Sequence, residues 1–271
     1  LAQADWRKRI GASGLAQSAF WERELPEYSS TQRKSQAAPA LPNPGRLVLI
    51  LAAERMIANH GLSGVSLRQI NEAAGHKNSG ATHYHFGSRE GLIQAVLNYR
   101  IAAIAQRRDA LLDRMKQQSA DLDIRGLVSA LAQPLVEELK PRPQGNYFLR
   151  FSERIRRERN EFQVDYSFPA ESWRFAQQEI LNRLAHLPPP LAALRVQMAL
   201  DHIISGLAGI EAKLGYGDWT AETFIAIETL IDFVAGGIVA PAAPEVTAAL
   251  SPEDAAKTNA STRLKKPGRK K

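Results

Sequence analysis

The chain has no cysteine, which excludes a disulfide framework and agrees with a reducing compartment, here expected to be the cytoplasm. No apolar run reaches the length of a membrane span, and the first residues hold no uninterrupted hydrophobic stretch behind their charges, so neither anchor nor leader is expected. Runs of alternating β-branched residues long enough to demand a sheet are missing as well. So are a glycine-rich phosphate loop, a metal-ligand cluster and a recognisable nucleophile motif; an enzyme is therefore a distant reading, and no cofactor is called for. His76, His83 and His85 do not amount to a metal site, because a pair two apart cannot share one helix face and no thiolate completes the set.

What is present is a hydrophobic content of 44% over 271 residues, enough for one or two globular domains. The formal net charge of +7 is unevenly placed. Residues 1–46 carry seven basic and four acidic side chains, and residues 251–271 carry seven and two, which leaves the segment between them near neutrality. The high isoelectric point is thus mostly a property of the ends, and alone says little about a specific binding surface. Residues 29–45 and 241–271 are rich in Ala, Pro, Ser and other polar residues and are expected to be disordered. The basic end Arg263-Leu-Lys-Lys-Pro-Gly-Arg-Lys-Lys271 is either a solubilising tail or a sequence-blind hold on DNA.

One segment carries most of the information. Ser66 and Gln69 form a capping box, so a helix starts at Leu67. Leu67, Ile70 and Ala74 fall on one face, while Arg68, Asn71 and Glu72 lie on the others. Gly75 stands where a left-handed C-terminal cap is wanted. After a turn with Lys77 and Asn78, Ser79 is placed to cap a second short helix, Ala81 to Phe86, with Phe86 as its apolar anchor. Upstream, Leu47 to His60 is an amphipathic helix closed by Gly61. Two short helices joined by a glycine turn behind a third form a helix-turn-helix unit, which presents its last helix to the DNA major groove.

The ordered set Ala52-Ala53, Gly61, Ser66-Leu67-Arg68-Gln69-Ile70, Ala73-Ala74-Gly75, Tyr84-His85-Phe86 and Ser88-Arg89-Glu90-Gly91-Leu92 resembles the DNA-binding domain of the tetracycline-repressor (TetR) family of bacterial transcription regulators. The usual spacing from turn glycine to phenylalanine is one residue shorter, so His83 stands where the family commonly has a phosphate-binding tyrosine, and Tyr84 follows it. The resemblance implies that Ser66, Arg68, Lys77, Asn78, Ser79, Ala81, Thr82, His83, Tyr84 and His85 lie close to DNA. Their chemistry suits that role: cations neutralise phosphates, hydroxyls and imidazoles donate to phosphate oxygens, and Thr82 offers a methyl group to thymine. Core packing is the competing reading for Tyr84 and, more strongly, for Phe86. Because the short helix contains no Arg, Gln or Asn, DNA shape is expected to share in recognition.

From Ser88 to Ala240 the pattern is helical almost throughout. A long connector begins at Ser88, and further helices are expected over 124–139, 147–162, 169–185, 191–214 and 221–239, divided by Pro and Gly breaks. The fold is therefore expected to be all-α. It divides into an extension (1–45), a DNA-binding domain (46–95), a helical effector-binding and dimerisation domain (96–240) and a basic tail (241–271). Eight of the nineteen aromatic residues lie between Tyr147 and Phe175, a natural place for a small-molecule pocket as well as for plain core. Phe148, Phe151, Arg154 and Trp173 are the ligand candidates. Arg150, Arg154 and Arg157 share a helix face and suit either an acidic ligand or a solvated charged surface. The resemblance implies homodimerisation through 191–214 and 221–239, where Leu194, Met198, Ile203, Leu207, Ile210, Phe224, Ile227, Leu230, Ile231 and Val234 alternate with small residues. The functional expectation is a homodimeric, ligand-responsive repressor that binds double-stranded DNA; the alternative is a DNA-coating protein using the same helices and tails without discrimination.

Overall fold

The computed structural model describes residues 43–76, 80–118, 122–142, 145–158, 171–215 and 217–250. Among them there is no strand, and the helices follow one another as α1 (Pro44–His60), α2 (Leu67–Ala73), α3 (Ala81–Phe86), α4 (Arg89–Gln118), α5 (Ile124–Val136), α6 (Phe148–Arg157), α7 (Glu171–Arg183), α8 (Pro189–Leu214), α9 (Ala221–Val239) and α10 (Pro244–Ala249). A 3-10 turn, Glu137–Leu139, follows α5 directly.

Local chemistry sets most of these boundaries. Asn43 accepts from the Gly45 amide and Pro44 takes the first helical position of α1, where its missing N–H costs nothing. Gly61 ends that helix at φ 77°, a conformation open to glycine at no steric cost. Asp123 caps α5, and Thr220 with Thr223 forms a capping box at the start of α9. The expected 241–271 disorder needs correction for its first part, because α10 forms at Pro244, again with proline at a first-turn position. Arg195 of α8 holds the approach to it, donating to the carbonyls of Ile238, Ala240 and Pro241. Residues 1–42 and 251–271 lie outside the described residues, as does the part of the expected 147–162 helix beyond Glu158.

One continuous apolar core runs through the described residues, from Leu49, Ile57 and Ile70 through Leu92, Val96 and Ile104 to Leu131, Phe151, Ile203 and Ile231. Each large side chain taken fully out of water contributes about 1.5–3 kcal/mol. Helix α4 packs on α1, α3, α5 and α7, and α6 packs on both α1 and α8. Helix α8 is long and apolar enough to cross a membrane by length and mean hydropathy, with half of the relevant window buried. Its polar groups have specific protein partners. Arg195 binds carbonyls at the end of α9, Asp201 pairs with Arg156, and Glu211 receives the Leu149 and Arg150 amides at 3.1 and 3.0 Å. Glu211 thereby caps the N-terminus of α6 from another helix, satisfying donors that α6 itself cannot.

Candidate nucleic-acid interface

The first three helices form the helix-turn-helix unit. The Ser66 hydroxyl accepts from the Gln69 amide at 3.3 Å, and the Gln69 side chain accepts from the Ser66 amide at 2.8 Å. At the other end the His76 amide reaches the Asn71 carbonyl and the Gly75 amide reaches that of Glu72, both at 3.0 Å. This paired ending requires the residue in between to be left-handed, and Gly75 is, at φ 74°. Gly80, rather than Ser79, stands at the N-cap of α3. Lys77, Asn78 and Ser79 lie outside the described residues.

Thr82 and Asn71 are where the structure corrects the sequence reading. Thr82 is 0% exposed and Asn71 1%. The Asn71 Oδ1 accepts from the Thr82 hydroxyl at 2.7 Å and from the Thr82 amide at 3.2 Å. Thr82 therefore cannot offer its methyl to a base, and Asn71 does not lie on an outer face. Together they join α2 to α3 and fix the angle at which α3 is presented. The amide that Asn71 takes belongs to the first turn of a helix with no other side-chain cap, so the inward Asn does the work of a cap.

The outward side is polar and open. Ser66, Arg68, Glu72 and His83 are exposed, and Ala81 and His85 are half-buried. Tyr84 is 85% exposed, which rules out its core reading; its ring meets that of His85 edge-on at 5.1 Å. Phe86 is half-buried against the core, with the Arg46 guanidinium 4.9 Å from its ring centre. Arg46 is exposed and so brings a cation to the α3 side of the unit, a residue sequence reasoning missed. The signal available was Asn43-Pro44, which starts α1 early enough for Arg46 to sit in its first turn. Arg68 pairs with Glu72 at 2.9 Å, and this partner raises the Arg68 pKa.

The unit is fastened to the rest of the protein. Arg89, at the start of α4, donates to the carbonyls of Leu62 and Val65, and burial lowers its pKa. Arg100 grips the Glu54 carboxylate of α1 with two bonds of 2.7 Å, and approaches Glu138 at 3.5 Å. Glu138 also receives Arg107 at 2.7 Å and Arg142 at 2.8 Å. Arg150 of α6 donates to Asn59 of α1 at 3.0 Å.

In the helical body a narrow cavity lies among α4, α5, α6, α7 and α8. Two of the sequence candidates, Phe148 and Trp173, line it, together with Arg108, Ser152 and Arg156. The other two do not: Phe151 is fully buried in the core behind Phe148, and Arg154 is exposed to solvent. Helical phase explains the second miss, since two residues further along α6 Arg156 turns inward and meets Asp201. The Arg150 face is occupied by intramolecular pairs with Glu211 and Asn59, not free for a ligand.

Helices α8 and α9 pack on each other, and Gly206 makes their approach possible: a Cβ there would lie 2.7 Å from Leu230. Ile203, Leu207, Ile227, Ile231 and Val234, expected at an interface between chains, are buried within this one. The exposed apolar face of the pair is instead Leu194, Met198, Phe224, Ile225 and Phe233.

A short helix with an open polar face, held at a fixed angle on a second helix and braced by a third, defines the DNA-binding class of helix-turn-helix proteins. Comparison with known proteins narrows the class. Residues 49–96 match the family described as bacterial regulatory proteins, tetR family. Over this segment the chain is similar to regulators of the TetR family. A stretch of 72 residues is 36% identical to the HTH-type transcriptional repressor AcnR of Corynebacterium glutamicum, covering 27% of this chain and 38% of that repressor. The chain thus matches little more than a third of that relative. Among solved structures, a TetR-family regulator from Marinobacter aquaeolei VT8 is 22% identical over 71% of this chain and 94% of its own, with a TM-score of 0.43. A chain from Rhodococcus sp. assigned to the same family is 20% identical over 71% of this chain and all of its own, with a TM-score of 0.44.

Proposed function

We propose that the protein is a homodimeric, sequence-specific DNA-binding repressor of the cytoplasm whose DNA affinity responds to a small molecule. The observation that carries this reading is the construction of α3: locked from behind by the buried Asn71–Thr82 pair, open in front at His83 and Tyr84. A surface that only coated DNA would not need a fixed presentation angle. In this reading Ser66, Arg68, Arg46, His83 and His85 position the phosphates, Tyr84 reaches toward the bases, and Lys77, Asn78 and Ser79 are further DNA contacts. Dimerisation through the exposed apolar face of α8 and α9 places two such units on one duplex, about 34 Å apart or a multiple of it, so the operator is roughly palindromic. A ligand in the body weakens DNA binding by the difference in its affinity for the two arrangements.

The test is titration of the purified protein against the DNA upstream of its own coding sequence and against scrambled DNA of equal length, at physiological salt, with the stoichiometry recorded. A preference on the order of a thousandfold for one site, at two chains per site, is expected of a specific regulator. A monomer that binds both DNAs equally overturns the reading.

A further inference from the structure

The body cavity contains one group that the fold does not explain. Arg108 of α4 lines it and is 1% exposed, yet neither its Nε nor its Nη2 has a hydrogen-bond partner among the described residues. The Trp173 ring, 5.0 Å away, supplies a π face but no acceptor, and the Asp109 carboxylate acts on the guanidinium through space without bonding it. A guanidinium buried in this way bears the full cost of lost hydration, and native proteins keep such groups where something meets them.

The same helix shows what meets such a group. Two turns earlier, about 12 Å along α4, Arg100 uses its own Nε and Nη2 edge to hold the Glu54 carboxylate through two bonds of 2.7 Å. Arg108 has the same edge unpaired, on a side chain that lines a cavity whose walls are otherwise mostly Leu97, Leu131, Leu135, Phe148, Leu200 and Ile203. The second cation on the wall, Arg156, already has Asp201. One buried edge is unpaired, its geometry matches two coplanar oxygens, and the cavity that its side chain lines is apolar. We infer that the effector is an amphipathic monocarboxylate, its carboxylate seated side-on on Arg108 and its apolar body lying along α5, α6 and α8. This deepens the ligand-responsive part of the proposed function and rests on it only for the consequence at DNA. Arg108 is also placed to transmit occupancy, because its helix carries Arg100 and, at its other end, Arg89, both bonded to the DNA-binding unit.

The probes are decanoate and 1-naphthoate, each measured against its neutral counterpart, 1-decanol and 1-naphthamide, by calorimetry and thermal shift on the full chain. At least one acid should bind about tenfold or more tighter than its counterpart, as a charge-assisted bidentate contact in a dry site implies. Arg108→Met should abolish that preference while the variant folds and melts no lower than the parent. Two results overturn the inference: neither acid outbinds its neutral counterpart, or Arg108→Met lowers the melting temperature, which shows that the guanidinium already has a partner in the chain. Titration of operator DNA in the presence of the bound acid separates the two proposals. If the acid binds through Arg108 and DNA affinity does not move, the ligand assignment stands and the effector role fails; if DNA is never bound specifically, only the repressor reading fails.

Discussion

The two halves of α4 treat a buried arginine in opposite ways. Near the DNA-binding unit, Arg100 is surrounded by Glu54 and Glu138, and the carboxylate of Glu138 is shared with Arg107 and Arg142. Toward the other end, Arg108 is as deeply buried, with the Trp173 ring beside it, Asp109 acting through space, and no hydrogen-bond partner for its Nε and Nη2 among the described residues. A buried charge paired on both sides makes a rigid joint, since breaking any member strands the others; an unpaired one marks a place that accepts something from outside. A single helix thus carries a fixed coupling to the DNA-binding unit in one half and a buried, unpaired guanidinium edge in the other.

Removing the joint should have the largest effect. Glu54→Ala leaves Arg100 buried with Glu138 as its one remaining carboxylate, and should cost about 3–5 kcal/mol in urea denaturation. A loss under about 1 kcal/mol would mean that the two arginines are not in different situations after all. Arg108→Met tests the other half and should act in the opposite direction, raising stability by on the order of 1–3 kcal/mol, because the unsatisfied donors disappear while the stem volume stays. Burial pushes the Arg108 pKa down from its ordinary value to about 10. Between those values the unfolded chain binds the extra proton, so the parent gains stability as pH rises through that window. The advantage of the Met variant should therefore be constant across neutral pH and shrink above about pH 10, which paired melts of the two proteins would show.

The same contrast between inner and outer sides recurs in the helix-turn-helix unit. Asn71→Leu strands the Thr82 hydroxyl and amide, and should cost about 1–3 kcal/mol and weaken DNA binding together. The double variant Asn71→Leu with Thr82→Val should regain part of the stability, as a coupled pair does. On the outer side, Tyr84→Ala should leave the melting curve within about 0.5 kcal/mol of the parent. DNA affinity should nonetheless fall roughly tenfold, the size of one lost specific contact. A lower melting temperature for Tyr84→Ala, with unchanged DNA binding, would reverse the assignment of inside and outside on α3.

Much of this was legible in the residues. The Ser66–Gln69 box, Gly75 and the 221–239 helix are local features, and local backbone chemistry decided them. The all-α class followed from the same periodicity. What could not be read was which side of a short helix faces inward. Six residues of α3 hold too few turns for a periodic signal, so Thr82 looked as available as His83. The ion network fails for a related reason: Glu54 and Arg100 are ordinary helix residues until packing brings α1 and α4 together across 46 positions. Arg108 is the extreme case. Nothing in Gln106-Arg107-Arg108-Asp109 separates the arginine that pairs with Glu138 from the one that faces a cavity; only the phase of α4 against α5 and α7 does so. The C-terminal pair shows the same limit: Ile227, Ile231 and Val234, expected at an interface between chains, are turned inward in this one.

The most direct test is amide hydrogen exchange on the full chain, free and bound to a duplex selected from random DNA. Protection on binding should fall on residues 66–86 and the start of α1, with the body changed far less. Protection confined to residues 1–42 and 251–271, with 66–86 exchanging as in the free protein, would contradict the account and leave the basic ends as the DNA-binding parts.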